Sequence, residues 1–368
     1  MSLPLQDAAE RAILVQAILG RQGAETAAES LAELERLAQT AGAVVLGSIT
    51  QRRERPDAAL FIGQGKLAEI QLACRNADAR LLIFDNDLSP VQVNNLDLAL
   101  GIKVIDRTEL ILQIFARRAK TAEAQIQVEL AQLQYLSSRI PISIKQARFS
   151  GGIGMRGPGE TPFQLRRAPL AARMTILKRK LKDIQKRRAR TRVRRPWPAV
   201  SLVGYTNAGK STLLNALTAA EAFVDDRLFA TLDTKSRLLV LPGGRRIMLT
   251  DTVGFIRHLP HGLVASFHST LAEVAGADLL LHVADAGHPA LDDHLRIVDD
   301  TLRDIGAASR PRLLVFNKSD QPPARARRSG LEARYPEALF ISALERLGLA
   351  ELKARLDTLL PPAPGALP

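Results

Sequence analysis

The residues best placed to do chemistry lie in one short stretch, "GYTNAGKST", Gly204 to Thr212. Gly204, four residues, then Gly209-Lys210-Ser211 is the spacing of a phosphate-binding loop, and it sits between an apolar run, "AVSLV", and a helical pattern, "LLNAL". Each part has a physical reason. The glycines let backbone N–H groups curl around phosphate oxygens, and the following helix adds the positive end of its dipole. Lys210 neutralises charge on the β- and γ-phosphates, and Ser211 offers a hydroxyl to Mg²⁺. Tyr205, Thr206, Asn207, Ala208 and Thr212 complete the loop.

Three further motifs follow in order. "IMLTDTVG" puts Asp251 at a strand end, with Thr252, Val253 and Gly254 after it. A carboxylate there can hold Mg²⁺ through water, and the Gly254 amide can sense a γ-phosphate. "LLVFNKSD" supplies Asn317, Lys318, Ser319 and Asp320. Asp320 can accept from both the N1–H and the exocyclic amine of guanine, which adenine cannot offer. "FISAL" supplies Ser342, Ala343 and Leu344 for the O6 side of the base. Each motif alone is weak; four in order point to a GTP-binding domain of the Ras-like class. A switch element should lie between the first two, and "RLFATLDTK" offers both Thr231 and Thr234 as Mg²⁺ ligands, between which spacing does not choose. After Gly254 comes Phe255, where many such proteins carry a water-orienting glutamine. An apolar ring cannot orient water, so hydrolysis should be slow without a partner, a backbone group or a cation. Asn207 stands where potassium-activated relatives place a K⁺ ligand; alternatively it stabilises its own turn.

Around these residues the chain is 46% hydrophobic and 24% charged, the composition of a soluble globular protein, and its 368 residues allow two or three domains. A single cysteine, Cys74, excludes a disulfide framework and a multi-cysteine metal site. The first residues carry no signal-peptide pattern and no apolar run could span a bilayer, so a cytoplasmic protein is expected; a monomer is expected as well. The net charge of +13 is localised. Between Pro141 and Pro196 stand 17 Lys and Arg against Glu160 and Asp183, leaving 34 basic and 36 acidic residues elsewhere. Such a segment repels itself unless a polyanion neutralises it. With few aromatics nearby, phosphate-backbone contact is favoured over base stacking.

A second glycine pattern, G-x-G-x-x-G on Gly152, Gly154 and Gly157, lies in this basic stretch. It follows no clear strand, Pro158 interrupts the helix that a dinucleotide site needs, and no acid stands about twenty residues on. It reads as a connector or, flanked by Arg148 and Arg156, as a tip whose backbone approaches RNA closely.

The supporting elements follow from periodicity. In residues 1–120, "RAILVQAI", "AVVLGSI", "ALFIG", "RLLIFD" and "IKVID" read as strands, alternating with the helices "GKLAEIQLACRNA", "VQVNNLDLAL" and "RTELILQIFARRAK". That is an α/β domain with a mainly parallel sheet. "FIGQGK" lacks phosphate-loop spacing and reads as a tight turn. Residues 121–195 read as an antiparallel, coiled-coil-like helical hairpin. Ile126, Leu130 and Leu133 form one stripe; Leu170, Met174, Leu177, Leu181 and Ile184 form a heptad seam on the basic arm, which carries Arg187, Arg188 and Arg190. Residues 196–360 form the nucleotide domain, with a mostly parallel sheet, and 361–368 a disordered tail.

Along almost its whole length the chain resembles the HflX family of ribosome-associated GTPases. The resemblance rests on "QRRERPDAALFIGQGKLAEI", "AEAQIQVELAQLQYL", "GGIGMRGPGET", "LFATLD" and "DTVGFIRHLPHGLVASFHSTL" as well as on the nucleotide motifs. It implies a GTPase that binds the large ribosomal subunit and splits or rescues stalled ribosomes. It implies nucleotide contact by Gly204 to Ser211, by Phe229, Ala230, Thr231, Leu232 and Asp233, and by the three later motifs. Ser211 and Thr231 become the Mg²⁺ ligands, and Lys210, Thr231 and Gly254 the groups at the reacting phosphate. One departure is local: the family continues "GPGETQLE", whereas Pro162, Phe163 and Gln164 follow Thr161 here. Proline disfavours a helical Thr161, and the glutamate's charge is missing. A G protein acting on transfer RNA or RNA modification, or a ribosome-assembly factor, is the alternative.

Overall fold

Runs rich in Val, Ile and Leu become the strands of two separate sheets. The computed structural model describes residues 10–21, 23–139, 162–193, 197–218, 228–229, 234–257 and 273–360, without the side chains of 162–167 and 188–193. The chain divides into two units, residues 1–117 with 126–181, and residues 118–125 with 182–368.

In the first unit β1 (Arg11–Leu19), β2 (Val44–Arg53), β3 (Leu81–Phe84) and β4 (Lys103–Asp106) form an all-parallel sheet in the order β2-β1-β3-β4. Parallel neighbours need crossovers, supplied by α1 (Ala24–Thr40), α2 (Gln64–Asn76) and α3 (Pro90–Leu100), while α4 (Arg107–Arg118) follows β4 directly. The start of α3 is written locally. Ser89 Oγ accepts from the Gln92 N–H, the Gln92 side chain accepts from the Ser89 N–H, and Pro90 fills the first turn. The core gathers Ile13, Val15, Ile62, Ile70, Leu82, Phe84 and Leu96.

The expected strand "ALFIG" is not one. Asp57 Oδ1 accepts from the N–H groups of Ala59 and Leu60, and Phe61 stands at φ 67°, so the chain turns tightly. Phe61 and Ile62 are apolar because they plug the core, and the tight turn read in "FIGQGK" ends at Gly63, since Gln64, Gly65 and Lys66 already belong to α2.

Two buried polar clusters occupy the C-terminal ends of these strands. Asp85 accepts from Arg107 (2.7 Å), Gln16 (2.9 Å) and Ser30 (2.7 Å), while Arg107 also pairs with Glu33. Asp106 accepts from the Tyr135 hydroxyl at 2.9 Å and pairs with Arg139; Glu109 Oε2 is 3.2 Å from the same hydroxyl. Tyr135 and Arg139 lie on α5 (Ala122–Arg139), where Val128, Leu130 and Ala131 are buried and Ile126 and Leu133 half-buried. The basic arm is α6 (Pro162–Val193), which has a proline in its first turn, where proline is tolerated, and carries Pro169 inside it; Thr161 lies outside the described residues. Leu177 and Leu181 are buried along its seam, with Leu170, Met174 and Ile184 half-buried. Arg173 grips Glu129 of α5 through two hydrogen bonds, at 2.7 and 3.0 Å. The glycine-rich segment between the two helices, with Arg148, Gly152, Gly154, Arg156 and Gly157, lies outside the described residues, as does the tail 361–368.

In the second unit β5 (Ala199–Val203), β6 (Lys235–Val240), β7 (Arg246–Asp251), β8 (Leu279–Asp285), β9 (Arg312–Asn317) and β10 (Leu339–Phe340) run in the order β10-β9-β8-β5-β7-β6. All pairs are parallel except β6 with β7, an antiparallel hairpin at the edge. Helices α7 (Lys210–Thr218), α8 (Leu291–Asp304), α9 (Pro322–Arg334) and α10 (Leu349–Leu359) cover the sheet. The hairpin turn is fastened to α10: Asp357 accepts from the Gly243 N–H at 3.1 Å and from Arg245 Nε at 2.8 Å, and Arg245 also donates to the Leu360 carbonyl at 2.9 Å.

Candidate functional site

The site forms where β5, β7, β8 and β9 end. β5 is wholly buried and hands over to the loop at Gly204, where a Cβ would lie 2.1 Å from the Val283 carbonyl oxygen, so only glycine fits against β8. Gly209 stands at φ +89°, and a Cβ there would lie 2.2 Å from Asn317 Nδ2. Between them Asn207 takes a left-handed φ of 59° and is exposed at the loop's crest. The loop thus curls tightly between β5 and α7, with the Thr206 N–H donating to the Phe255 carbonyl at 2.8 Å and the Ala208 N–H to the Tyr205 carbonyl at 3.3 Å.

Lys210 opens α7 and is 6% exposed. Its Nζ donates to the Gly204 and Tyr205 carbonyls at 3.1 and 2.8 Å. Burial pushes its pKa down to about 8, with Asp251 opposing the shift. One residue on, Ser211 Oγ donates to Asp251 Oδ2 at 2.6 Å, so hydroxyl and carboxylate from two motifs meet in one place. Thr252 Oγ1 donates to the Leu202 carbonyl at 2.6 Å, fixing the turn that leads through Val253 to Gly254. Thr212 follows Ser211 in the first turn of α7.

The base side is tied to the phosphate side by one amide. Asn317 Nδ2 donates to the Ala208 carbonyl and Asn317 Oδ1 accepts from the Ala343 N–H, both at 2.9 Å. This buried side chain joins the phosphate loop, β9 and the "SAL" turn. Lys318 takes φ 61° and pairs with Asp285 at 2.7 Å. The Ser319 N–H donates to the Ile341 carbonyl at 3.0 Å, and Ser342 Oγ accepts from the Glu345 N–H at 3.1 Å, while Leu344 is exposed beside them. Asp320 Oδ1 is buried with no hydrogen-bond partner. A buried, unsatisfied carboxylate oxygen is costly unless a ligand supplies the donor, and a guanine edge supplies two.

Of the switch residues, Phe229 is described: it is buried, at φ 56°. Ala230, Thr231, Leu232 and Asp233 lie outside the described residues, and Thr234 is half-buried at the start of β6. Phe255 is 3% exposed, and its backbone extends the sheet, donating to the Gly204 carbonyl at 3.1 Å and accepting from the Thr206 N–H at 2.8 Å. Its ring belongs to the core, so it cannot serve the reacting water. Arg187 is exposed on α6, whose backbone carries Arg188 and Arg190 onward. Among the described residues no helix is long and apolar enough to cross a membrane.

Sequence reading missed Asp285 as the partner of Lys318, although its place at the end of β8 marks it. It also missed the surroundings of Tyr205. That ring stacks on His294 at 3.7 Å between centroids, and His294 lies 4.2 Å from His288. Nothing local to "GYTNAGKS" announces those contacts, because they come from α8.

A parallel sheet with this loop, a carboxylate at the neighbouring strand end and a guanine-reading segment at the next defines a Ras-like P-loop GTPase domain. Residues 199–318 match the family of 50S ribosome-binding GTPases, residues 28–116 the N-terminal region of GTP-binding GTPases, and residues 118–195 their middle region. The chain is 47% identical over 355 residues to the GTPase HflX of Caldanaerobacter subterraneus, covering 95% of this chain and 80% of that one. It is 42% identical over 351 residues to that of Escherichia coli, covering 94% and 82%. The crystal structure of SsGBP with GDP aligns with a TM-score of 0.54 at 26% identity, covering 95% of this chain and 98% of that one. The chain belongs to the HflX family of GTPases.

Proposed function

We propose that this chain hydrolyses GTP and uses its nucleotide state to control docking on the large ribosomal subunit, where it splits or rescues stalled ribosomes. The observation that carries the nucleotide part is the Asn317 bridge, which sets the phosphate loop and the guanine-reading segment in one frame. The 50S ribosome-binding family match and the net charge of the 141–196 segment support the partner.

In this reading Asp320 accepts from the guanine edge and the loop amides cradle the phosphates. Lys210 takes charge from the β- and γ-oxygens, and the Gly254 amide donates to the γ-phosphate. Ser211 and Asp251 present hard oxygen donors 2.6 Å apart, a set that suits Mg²⁺, with Thr231 as the further ligand. The metal would neutralise charge on the β- and γ-phosphates. With Phe255 committed to the core, hydrolysis is slow until the ribosome completes the site. Asn207, exposed at the loop crest, is proposed to admit K⁺; equal rates in K⁺ and Na⁺ would remove that part.

The basic arm, with Arg187, Arg188 and Arg190, and the tip bearing Arg148, Gly152, Gly154, Arg156 and Gly157 are proposed to meet ribosomal RNA. The three matched family regions support a division into an N-terminal α/β domain (1–120), a helical hairpin (121–195) and a GTPase domain (196–360). We infer a cytoplasmic monomer.

The test is GTP hydrolysis with and without purified large subunits. A rate raised at least about tenfold is expected, and no stimulation would overturn the ribosomal reading in favour of an RNA-modifying G protein. Reversing the charge of Arg187, Arg188 and Arg190 together should weaken ribosome binding in a salt-dependent way and leave GTP affinity intact.

A further inference from the structure

Tyr205 is the second residue of the phosphate loop, and its ring packs against α8. It is 4% exposed, and its ring lies flat on the imidazole of His294, at 3.7 Å and 7° between planes. Its hydroxyl oxygen accepts from the Arg257 backbone N–H at 3.0 Å. Arg257, 7% exposed, pairs through its guanidinium with Asp293 at 3.2 Å. Asp293 and His294 are neighbours in the first turn of α8. One helical turn therefore holds both the ring of Tyr205 and the side chain of Arg257.

What is held is the segment that leaves Gly254. Phe255 is laddered to Gly204 and Thr206 through its backbone, and Arg257 to the hydroxyl of Tyr205. Gly254 itself packs so closely that a Cβ would lie 2.8 Å from Thr206 Cα and 3.0 Å from Lys210 Nζ. The point where Gly254, Thr206 and the Lys210 ammonium converge is where a γ-phosphate must be read. Small displacements there are costly, because a donor stabilises developing charge only when it is fixed in advance.

We propose that Tyr205, His294 and Arg257 form a positioning latch for GTP hydrolysis, in which the ring stack and the hydroxyl acceptor fix residues 255–257 and so hold the Gly254 amide at the γ-phosphate. These are positioning residues: none touches nucleotide through its side chain. The latch does not replace a water-orienting glutamine. It cannot orient water, but it removes the freedom of the segment on which such a glutamine would sit. GDP, which lacks the γ-phosphate, has no use for it.

This inference deepens the GTPase reading and rests on it, so the test uses binding as well as turnover. The full chain is compared with Tyr205→Phe, which keeps the stack and deletes the acceptor, and with His294→Ala and His294→Phe, of which the second restores a flat ring. Affinities for GDP and for a non-hydrolysable GTP analogue are measured alongside single-turnover GTP hydrolysis. Tyr205→Phe and His294→Ala are expected to lose about tenfold in hydrolysis and in analogue affinity, the effect of one displaced donor, with GDP affinity within about twofold. His294→Phe should recover most of the loss. An unchanged Tyr205→Phe, a parallel loss of GDP affinity, or equal damage in both His294 variants would overturn the latch. If the wild type hydrolyses nothing while the analogue-to-GDP ratio shifts as stated, Tyr205, His294 and Arg257 still hold Gly254 for the γ-phosphate, and the hydrolytic role falls with the GTPase reading.

Discussion

The two sheets of this chain are built alike and finished differently. Both are mainly parallel, with helical crossovers and polar residues at the C-terminal strand ends. In the first unit those ends are filled by the chain's own cations: Arg107 lies between Asp85 and Glu33, and Arg139 caps Asp106. In the second, glycines bring backbone close without filling the space, and Asp320 keeps a carboxylate oxygen without a partner. The same architecture thus gives a sealed end and a receptive one, and the fold does not decide which. What decides is whether the strand ends are filled from within, since a buried polar atom without a hydrogen-bond partner occurs at each, Arg139 Nη1 in the first unit and Asp320 Oδ1 in the second.

The comparison can be broken most sharply at Arg107. Arg107→Ala leaves Asp85 and Glu33 buried without their cation, and should cost about 3–5 kcal/mol. Hydrogen exchange is expected to show lost protection of β1–β4 with GDP affinity retained; unchanged protection would mean that the cluster is not sealed. Next comes Gly209→Ala, which puts a methyl group on Asn317 at a positive φ. It should lower nucleotide affinity about 10- to 100-fold, measured by calorimetry, with a smaller effect on stability.

The two ends should also respond to pH with opposite sign. Burial raises the pKa of Glu109, with Lys103 opposing and Asp106 adding to the shift. A carboxyl raised in the folded state favours folding fully below its unfolded value near 4.5, and that contribution is lost as pH rises through the folded value. His282 on β8 is driven down to about 3, by burial first and then by Arg312 and Lys210. Its contribution is present above 6.5 and is lost as pH falls toward 3. Urea denaturation of Glu109→Gln and His282→Gln should therefore flatten opposite limbs of the stability profile; the same limb flattened by both would refute the contrast. The smallest effect is expected at Arg173→Ala. It removes an exposed pair with Glu129 and should leave the melting temperature unchanged within error.

Much of the candidate site was legible because its chemistry is local: a loop, a strand end and a turn each carry their residue types within a few positions. Asn317 could be read as a base-side residue, but its bridge between Ala208 and Ala343 spans residues far apart in the chain and needed the fold. The stack on Tyr205 was invisible for the same reason. In the first unit four of five expected strands stand. "ALFIG" misled because buried apolar residues in a turn have the composition of a strand. Helix α1 was passed over because its buried face is built from Ala27, Ser30, Glu33 and Ala38 beside Leu34 and Leu37, which mutes the apolar rhythm.

The clamp of Arg245 and Asp357 has a mechanical consequence. The hairpin that it grips starts at Lys235, just downstream of the segment that carries Thr231. A pull on the end of α10 is therefore delivered, through two side chains, to the strand that leaves the switch. A GTPase fragment cut before Asp357 would lose that tether, and its β6–β7 hairpin would report the behaviour of a freed edge rather than that of the whole protein.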